Sequence, residues 1–513
     1  VEQSLLQLTV NGRYQMHELL RQFSQEQLER DRENLETTHD RHSRHYLNWV
    51  VAQHERFAGE SQREALNAIS VEFDNISVAW HWAVRRRTYN LLDLALHPLY
   101  LYCNLRGRFA DGLALLAGMA DALRNAVDEV GAGHIGDAQI RQHRLGRVLA
   151  RFGQLQSKID DQNALENLRC ALSYARTPED RAFALTWLGA VELNAGDRAS
   201  GVSNLQKSIA ISRQTDDQHN LFYALQELKN ALWHSDFLEA RRTCREMVAI
   251  SRRLDRPDLI ARALVDLASM ENFLGSYDAA TMYLHESLRI SEAGRYRDLL
   301  GWVFDMLGWN SWCQGSDHYS VALTYYDRAF AIEDNLGRRS SAAAYMSDKA
   351  LVLRDIGQIQ EALELARQAA TLGRQAGISN IVGLTLSHLG NVLTCNGEYV
   401  AAWPILREAL EMLYDNGHFN MVLWTLFYIA ELMVAENEAT GTPSVGEQEH
   451  TARELLVCVG HHPVTPYVFK VRATRLLATL PSETMAARPD QPGSEQTLLS
   501  LDEAVAMVLG DHP

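Results

Sequence analysis

Apolar residues recur along this chain at helical spacing, and between Arg181 and Gly417 they do so in six copies of one pattern. Each copy contains a helix with periodic apolar residues, a short turn with a glycine or a polar pair, and a second helix with a small residue in its first turn. The small residues are Gly201, Ala240, Ala280, Ala322, Ala362 and Ala402, and the steps between them are 39, 40, 42, 40 and 40 residues. Self-similarity at this period predicts a solenoid, in which each unit buries its apolar face against its neighbours.

The size of the side chains indicates which helical repeat this is. After the turn come a small residue, a leucine and a second small residue: Gly201, Leu205 and Ser208 in the first copy, and Ala402, Leu406 and Ala409 in the sixth. This pattern resembles the tetratricopeptide repeat, in which small residues let two antiparallel helices pack closely. That repeat usually has about 34 residues, so we expect helices about one turn longer here. HEAT-type repeats have a suitable length and are the alternative, but they do not predict this alternation of small residues.

The first thirty residues have a different pattern. Residues 5–10 read as a strand, Asn11-Gly12 is a strong hairpin signal, and residues 13–16 read as the returning strand. A helix is predicted to begin near His17. A hairpin followed by a helix resembles the end of a winged-helix domain, and because the pattern begins abruptly at Val1 we expect the chain to be part of a longer protein.

The segment from Tyr14 to Phe23, which reads YQMHELLRQF, is similar to the MHD segment of STAND signalling ATPases. This family includes the NB-ARC proteins and the large LuxR-type and SARP-type transcription activators. The resemblance implies that His17 contacts the β-phosphate of bound ADP in the complete protein, and that Glu18 stands where the family usually has Asp. The alternative interpretation is that His17 only caps the helix that follows it.

Residues 41–47 and 72–83 continue this resemblance and are similar to the helical connector between the ATPase and the sensor of such proteins. Asp74 and Asn75 are predicted to cap a helix. His39, His42 and His45 share one helical face, but no carboxylate or thiol at matching spacing completes a metal-ligand set, so no metal site is predicted.

The pattern predicts an all-α fold, a tetratricopeptide-like α-solenoid superhelix with a small N-terminal winged-helix remnant. Five segments are expected: the winged-helix remnant, a helical connector with divergent helix pairs, an irregular helix pair, the repeats, and closing helices with flexible loops. Their bounds are 1–30, 31–130, 131–180, 181–436 and 437–513. Within the last segment we predict a loop at 437–449, a flexible spacer at 481–496, and a final helix capped by Ser500.

Composition limits the function classes. The chain has 49 Lys and Arg against 65 Asp and Glu, a formal net charge of −16, which disfavours nucleic acid and acidic membranes as partners. The six cysteines form no C-x-x-C motif, and no apolar run reaches the roughly 18 residues of a membrane span; the nearest, 422–430, is interrupted by Thr425. These features predict a cytoplasmic protein.

The sequence lacks the motifs of common catalytic sites. It contains no G-x-x-x-x-G-K-[ST] phosphate loop, no H-E-x-x-H and no G-x-S-x-G. We therefore predict that this chain is not an enzyme and holds no cofactor of its own. The family resemblance implies that ATP or ADP with Mg²⁺ is bound by the complete protein.

In a tetratricopeptide superhelix the first helix of each pair lines the concave face. The repeat register then predicts a ligand groove formed by Phe222, Lys229, Trp233, Arg262, Asn272, Trp302, Asp305, Trp309, Trp312, Arg354 and Asn391. Tryptophans at positions 302, 309 and 312 are more than a helix seam usually contains, although the same spacing is also typical of a buried stripe. Aromatic rings beside single charges suit a peptide or a small effector.

The sequence therefore predicts the sensor array of a STAND-type ATPase that controls a nucleotide-dependent switch in signalling or transcription. A protein, peptide or small-molecule inducer is expected on the concave face, and the complete protein could oligomerise on activation. The alternative is a constitutive scaffold for protein assembly without a nucleotide switch.

Overall fold

The computed structural model describes residues 6–8, 14–128, 135–159, 162–440, 445–481 and 499–510. Within these ranges it contains twenty-three α-helices and one two-stranded sheet. Strands β1 (Leu6–Leu8) and β2 (Tyr14–Met16) are antiparallel, with Leu6 opposite Met16. The predicted all-α repeat solenoid is confirmed, and the strand pair lies where it was expected; the Asn11-Gly12 turn falls outside the described residues.

Contacts divide the chain into two compact units, Val1–Val191 and Glu192–Pro513. The helices that begin in the first unit are α1 Glu18–Arg30, α2 Arg32–His54, α3 Gln62–Arg85, α4 Tyr89–Leu105, α5 Phe109–Asp128, α6 Ile135–Ser157, α7 Ala164–Tyr174 and α8 Pro178–Asn194. Single 3₁₀ turns at Glu55–Phe57 and Gly59–Ser61 connect α2 to α3. The core of this unit includes Trp80, whose Nε1 donates a hydrogen bond to the Leu115 carbonyl at 2.9 Å.

The predicted helix cap at Asp74 and Asn75 is wrong. Both residues lie inside α3, which runs without a break from Gln62 to Arg85. The reason is the apolar stripe of α3, which continues through this point with fully buried Ile69 and Ile76, so that packing outweighs the local capping preference. Helix α6 begins at Ile135, and residues 129–134 lie outside the described residues.

The second unit contains the remaining helices. They are α9 Arg198–Gln214, α10 Gln218–Leu232, α11 Phe237–Arg253, α12 Pro257–Phe273, α13 Tyr277–Gly294, α14 Arg297–Gln314, α15 Tyr319–Asn335, α16 Arg339–Asp355, α17 Ile359–Ala376, α18 Ser379–Cys395, α19 Tyr399–Asp415, α20 Phe419–Thr440, α21 Val445–His461, α22 Tyr467–Thr479 and α23 Leu501–Leu509. A 3₁₀ turn at Ser316–His318 precedes α15.

The repeating small residue has the same place in every copy. It is the fourth residue of α9, α11, α13, α15, α17 and α19, and in each of these helices it is buried. A side chain no larger than a methyl group lets the neighbouring helices approach closely, which explains the strict spacing. These six helices have 17 or 18 residues, which agrees with the longer helices expected from the period of about 40 residues.

The C-terminal part corrects one prediction and confirms another. The bounds of the loop expected at 437–449 are wrong, because α20 continues to Thr440 and α21 begins at Val445; residues 441–444 lie outside the described residues. The final helix is confirmed: Ser500 caps α23 and exchanges hydrogen bonds with Glu503 in a capping box. Most of the spacer predicted at 481–496 lies outside the described residues.

One stretch of α20, Phe419–Ala439, is by length and composition apolar enough to cross a membrane. In this fold 72% of its most apolar window is buried inside the protein. Leu423, Leu426 and Ile429 are fully buried there. These features are those of a helix in the core of a folded array.

Candidate ligand-binding cavity

A cavity of about 960 Å³ lies within the second unit. Its walls come from the C-terminal end of α10, the middle of α14 and α16, the start of α18 and the turn between α19 and α20. The array closes on one side of it, because His234 Nδ1 lies 2.6 Å from Asn420 Oδ1 and the His234 and His418 rings are 4.7 Å apart. Segments that are 186 residues apart in the sequence thus enclose one cavity.

Aromatic rings form a continuous wall of this cavity. The ring of Trp233 lies 6.4 Å from Trp302 and 5.4 Å from Phe273, between centroids. Phe273 is 6.0 Å from Trp309, which is in turn 5.7 Å from Trp424. Offset and edge-on contacts of this kind hold the rings in fixed positions and give a rigid apolar surface for a ligand.

Two carboxyl groups, those of Asp305 on α14 and Asp348 on α16, lie at one end of the cavity. They are 5% and 8% exposed and lie close enough to influence each other's ionisation. Among the described residues, no Lys or Arg lies within ion-pair distance of either group; His388 Nδ1, at 3.5 Å from Asp348 Oδ1, is the nearest basic atom recorded. Burial raises the pKa of Asp348 to about 8, and burial together with Asp348 and Glu333 raises the pKa of Asp305 well above its ordinary value. Asp348 is therefore mainly protonated at neutral pH, and ionisation of Asp305 is disfavoured.

Lys229 and the two histidines of the cavity wall carry little free charge. Lys229 Nζ lies 2.5 Å from Asp266 Oδ1 in a buried ion pair, and it also faces the rings of Trp233 and Trp302 at 5.0 and 5.6 Å. Burial and the neighbouring His418 lower the pKa of His234 to about 4, and burial lowers the pKa of His418. Both imidazoles are therefore neutral at pH 7.

Several buried polar atoms of the cavity wall have no hydrogen-bond partner in the protein. They are the indole Nε1 atoms of Trp309 and Trp424, the amide Nδ2 of Asn420 and Nδ1 of His418. Both tryptophans are 4% exposed and Asn420 is fully buried. Each unsatisfied buried donor costs about 1–3 kcal/mol, so such a concentration of them is typical of a site that a ligand completes.

The surface next to the cavity is covered by α22 of the chain itself. Phe469 of α22 is fully buried and lies 5.5–6.5 Å from the rings of Trp309, Trp312 and Trp424. Arg472 Nη2 lies 2.6 Å from Asp355 Oδ2, and its guanidinium stacks over Trp312 at 4.5 Å. Helix α22 therefore occupies the surface that a ligand would otherwise reach there.

The turn between α12 and α13 shows how closely the same segment approaches. Gly275 has a φ of +82°, and a Cβ atom at this position would come 2.5 Å from the ring of Tyr467. Glycine is thus required both by the backbone conformation and by the contact with Tyr467.

The structure separates the predicted groove residues into two sets. Five line the cavity: Lys229, Trp233, Trp302, Asp305 and Trp309. The other six, which are not on its wall, are Phe222, Arg262, Asn272, Trp312, Arg354 and Asn391.

The second set has other contacts. Phe222 is fully buried in the core, and Asn272 donates to the Met306 carbonyl at 3.3 Å. Arg262 is half-buried on α12. Trp312 Nε1 donates to Asp355 Oδ2 at 2.7 Å, which also binds Arg472.

Arg354 and Asn391 belong to the same buried network. Arg354 donates to Asp355 and to Asn391, and Asn391 Nδ2 donates to Glu431 Oε2 at 2.8 Å. Burial acts against ionisation of Asp355, but Arg354 and Arg472 outweigh it, so the pKa of Asp355 lies below its ordinary value. This network holds α16, α18, α20 and α22 together, and its polar groups are already satisfied.

Sequence reasoning missed Asp348, His234, His418, Asn420 and Trp424 on the cavity wall. A signal existed for Asp348, because a carboxylate among the buried apolar residues of α16, such as Ala344 and Leu351, is unusual. No local signal marks the closure between α10 and α20, because it joins residues that are 186 positions apart in the sequence.

Replacing Asp348 by Asn is expected to stabilise the protein at pH 7. In the folded state the carboxyl pair holds protons at neutral pH. In the unfolded chain the ordinary Asp pKa is 3.8, so the same groups lose their protons. Stability therefore falls as pH rises from about 4 towards about 8, and the neutral amide removes most of this loss. We expect a gain of about 1–3 kcal/mol at pH 7 and no gain at pH 4. Urea unfolding across this pH range is the measurement; equal stability of both proteins at pH 7 would contradict the assignment.

His17 lies in the first unit. Its Nδ1 accepts a hydrogen bond from the Leu19 amide at 3.3 Å and so caps α1, while the side chain itself is exposed. Glu18 is bound by Arg21 at 2.6 Å and by Gln22 at 3.0 Å. His17 therefore caps α1, while its contact with ADP in the complete protein stays a prediction.

Comparison with known families gives one match. Residues 342–376 match the tetratricopeptide repeat, and this range covers α16 and α17 almost completely. A comparison with curated proteins found no match. The fold together with this match defines a tetratricopeptide-like helical repeat protein.

Solved structures with a similar fold include a STAND protein with a tetratricopeptide-repeat sensor from Pyrococcus horikoshii. It is 14% identical, with a TM-score of 0.50, and the match covers 80% of this chain and 57% of that protein. The apo form of RapI is 16% identical over 58% of this chain and 99% of its own, with a TM-score of 0.40. A Rap protein complexed with competence and sporulation factor is 14% identical over 75% of this chain and 99% of its own, with a TM-score of 0.39. At these identities the likeness concerns the fold.

Proposed function

We propose that this chain is the ligand-sensing array of a STAND-type ATPase, and that an inducer bound in the cavity shifts the nucleotide-dependent switch of the complete protein. The observation that supports sensing is the cavity itself, with its rigid aromatic wall and its buried polar atoms without protein partners. A ligand that bonds to these atoms stabilises the conformation in which the cavity walls are together over one in which they are apart. Such a preference for one of two conformations is what a switch requires.

The nucleotide part of the proposal rests on the segment around His17. Because Nδ1 of this exposed side chain caps α1, Nε2 is left for an acceptor outside the helix, such as a phosphate oxygen. The hairpin and α1 would then be the end of a winged-helix domain, as the sequence resemblance implies. ATP or ADP with Mg²⁺ would supply the chemical energy of the switch and would be held by residues that are not in this chain.

The complete protein would act in the cytoplasm in signalling or transcription control, and it could oligomerise on activation. This chain would bind a protein, a peptide or a small molecule on its concave face. The formal charge of −16 supports this choice over nucleic acid or an acidic membrane surface.

Nucleotide exchange in the complete gene product tests this function. We expect the purified protein to carry bound ADP, and the low-molecular-mass or peptide fraction of its source cells to accelerate exchange for ATP at least tenfold. Trp309→Phe and Asp305→Asn should reduce this acceleration without changing the basal rate, because they alter only the cavity. His17→Ala should release ADP without any extract.

The scaffold alternative gives a different result in the same experiment. A complete protein that purifies without nucleotide, and that shows no exchange under any fraction, would contradict the switch. Asp415→Asn is a suitable control, since this carboxylate is exposed at the rim of the cavity. It should leave the acceleration unchanged.

A further inference from the structure

At one end of the cavity, carboxyl groups without a cationic partner lie near indole N–H groups without a hydrogen-bond acceptor. Asp305 and Trp309 lie one helical turn apart on α14 and so face the same side. The Trp309 ring is 5.7 Å from Trp424, which is 6.0 Å from the ring of His388, and His388 Nδ1 is 3.5 Å from Asp348. A carboxyl pair without a cation therefore lies beside two indole N–H groups without an acceptor.

We propose that this end of the cavity binds an ammonium group that is followed by a carbonyl, as at the free amino end of a peptide. The ammonium donates to Asp305 and Asp348, and the carbonyl accepts from the indole N–H of Trp309 or Trp424. The Nδ2 group of Asn420 is a further donor for the next carbonyl. This inference rests on the proposed function, because it names the chemistry of the ligand for the same cavity.

The charges around the cavity favour a cation over an anion. Lys229 is neutralised by Asp266 at 2.5 Å, and the two cavity histidines are uncharged at pH 7. Arg198 keeps its positive charge, but its guanidinium already donates to the Ala231 carbonyl and to Ser235 Oγ, at 2.5 and 2.6 Å. Apart from Arg198 the wall offers an anion no unpaired positive charge, whereas the faces of the aromatic wall attract a cation.

Binding of an ammonium should release a proton, because it favours the ionised form of a pair that is mainly protonated when free. The other titratable groups that face the pair are Glu333, Tyr326 and Tyr345, Cys313 and His388. Burial raises the pKa values of the two tyrosines and of the thiol, and burial lowers that of His388 to about 3, so these four stay neutral between pH 6 and 8.

The affinity of the site for an ammonium group is expected to depend on pH. Affinity should rise by up to about tenfold per pH unit between pH 6 and 8, as the pair ionises more easily. It should fall above about pH 8, since the amino end of a peptide then loses its own proton. A maximum near pH 8 is thus the signature of this site.

Affinity selection with defined pools tests the proposal. The full chain is incubated with a pool of random hexapeptides with free amino ends, with the same pool after N-acetylation, or with the free amino acids, and retained compounds are identified by mass spectrometry after gel filtration. We expect retention of the free pool at least tenfold above the acetylated pool, with the maximum near pH 8. Retention of free amino acids above peptides would support the same chemistry and assign it to amino acids.

Two variants give the matched comparison. Asp305→Asn with Asp348→Asn should reduce retention of the free pool to the level of the acetylated pool and remove its pH dependence. Because these changes are expected to stabilise the fold, a loss of binding would not reflect unfolding. Asp415→Asn makes the same chemical change at the exposed rim and should change retention less than twofold.

The result also separates this inference from the proposed function. Equal retention of free and acetylated peptides would overturn the ammonium site, while the cavity would remain a peptide site. No retention of any pool would also overturn it. Acceleration of nucleotide exchange by a cell fraction would still support the sensor in either case.

Discussion

Replacing Phe469 by alanine is expected to lower the free energy of unfolding of the second unit by about 3–5 kcal/mol. The ring is fully buried and lies within 5.5–6.5 Å of five other aromatic rings, those of Trp309, Trp312, Trp424, Phe427 and Tyr428. Its removal leaves a void between α22 and the helices α14 and α20, and the surrounding helices can collapse into it only in part. Urea unfolding monitored by tryptophan fluorescence measures the effect, since three of the five neighbours are tryptophans.

Two further variants define the origin of this loss. Phe469→Leu keeps much of the side-chain volume and should cost less than half as much. Phe23→Ala removes the same ring from α1, where it is 59% exposed, and should change stability by no more than about 0.5 kcal/mol. Equal effects of Phe469→Ala and Phe23→Ala would show that α22 is not anchored in the way the structure indicates.

The repeat architecture could be predicted because its physical cause is local. A small residue is needed wherever two helices of a pair approach closely, so Ala240 or Ala362 marks its helix whatever the rest of the fold does. The final helix was equally accessible, since Ser500 and Glu503 form their capping box within four residues. In contrast, the helix cap predicted at Asp74 and Asn75 was wrong, because the tertiary packing of α3 outweighed the local capping preference.

The cavity was predictable only in part. Helical spacing placed Trp302, Asp305 and Trp309 on one face, and all three line the cavity. The spacing could not show that α22 covers the neighbouring surface at Trp312, because Arg472 binds Asp355 from 117 residues away. Nor could it show that Lys229 is neutralised by Asp266, which lies on a different helix.

This buried ion pair gives the second large expected effect. Lys229 and Asp266 side chains are 4% and 1% exposed, and their charged atoms are 2.5 Å apart. Lys229→Met should lower the free energy of unfolding by about 3–5 kcal/mol, because it leaves the Asp266 carboxylate buried without a cation. The measurement is urea unfolding of the full chain at pH 7.

The double variant Lys229→Met with Asp266→Asn tests the cause. With both charges removed, the uncompensated carboxylate is gone, and we expect at least half of the lost stability to return. Arg242→Met is the matched control, since Arg242 and Glu239 form an ion pair of 3.0 Å whose side chains are 78% and 48% exposed. It should change stability by no more than about 0.5 kcal/mol. If the double variant were as unstable as Lys229→Met alone, the loss would come from packing against Trp233 and Trp302, and the cavity wall would depend on the lysine side chain for its shape.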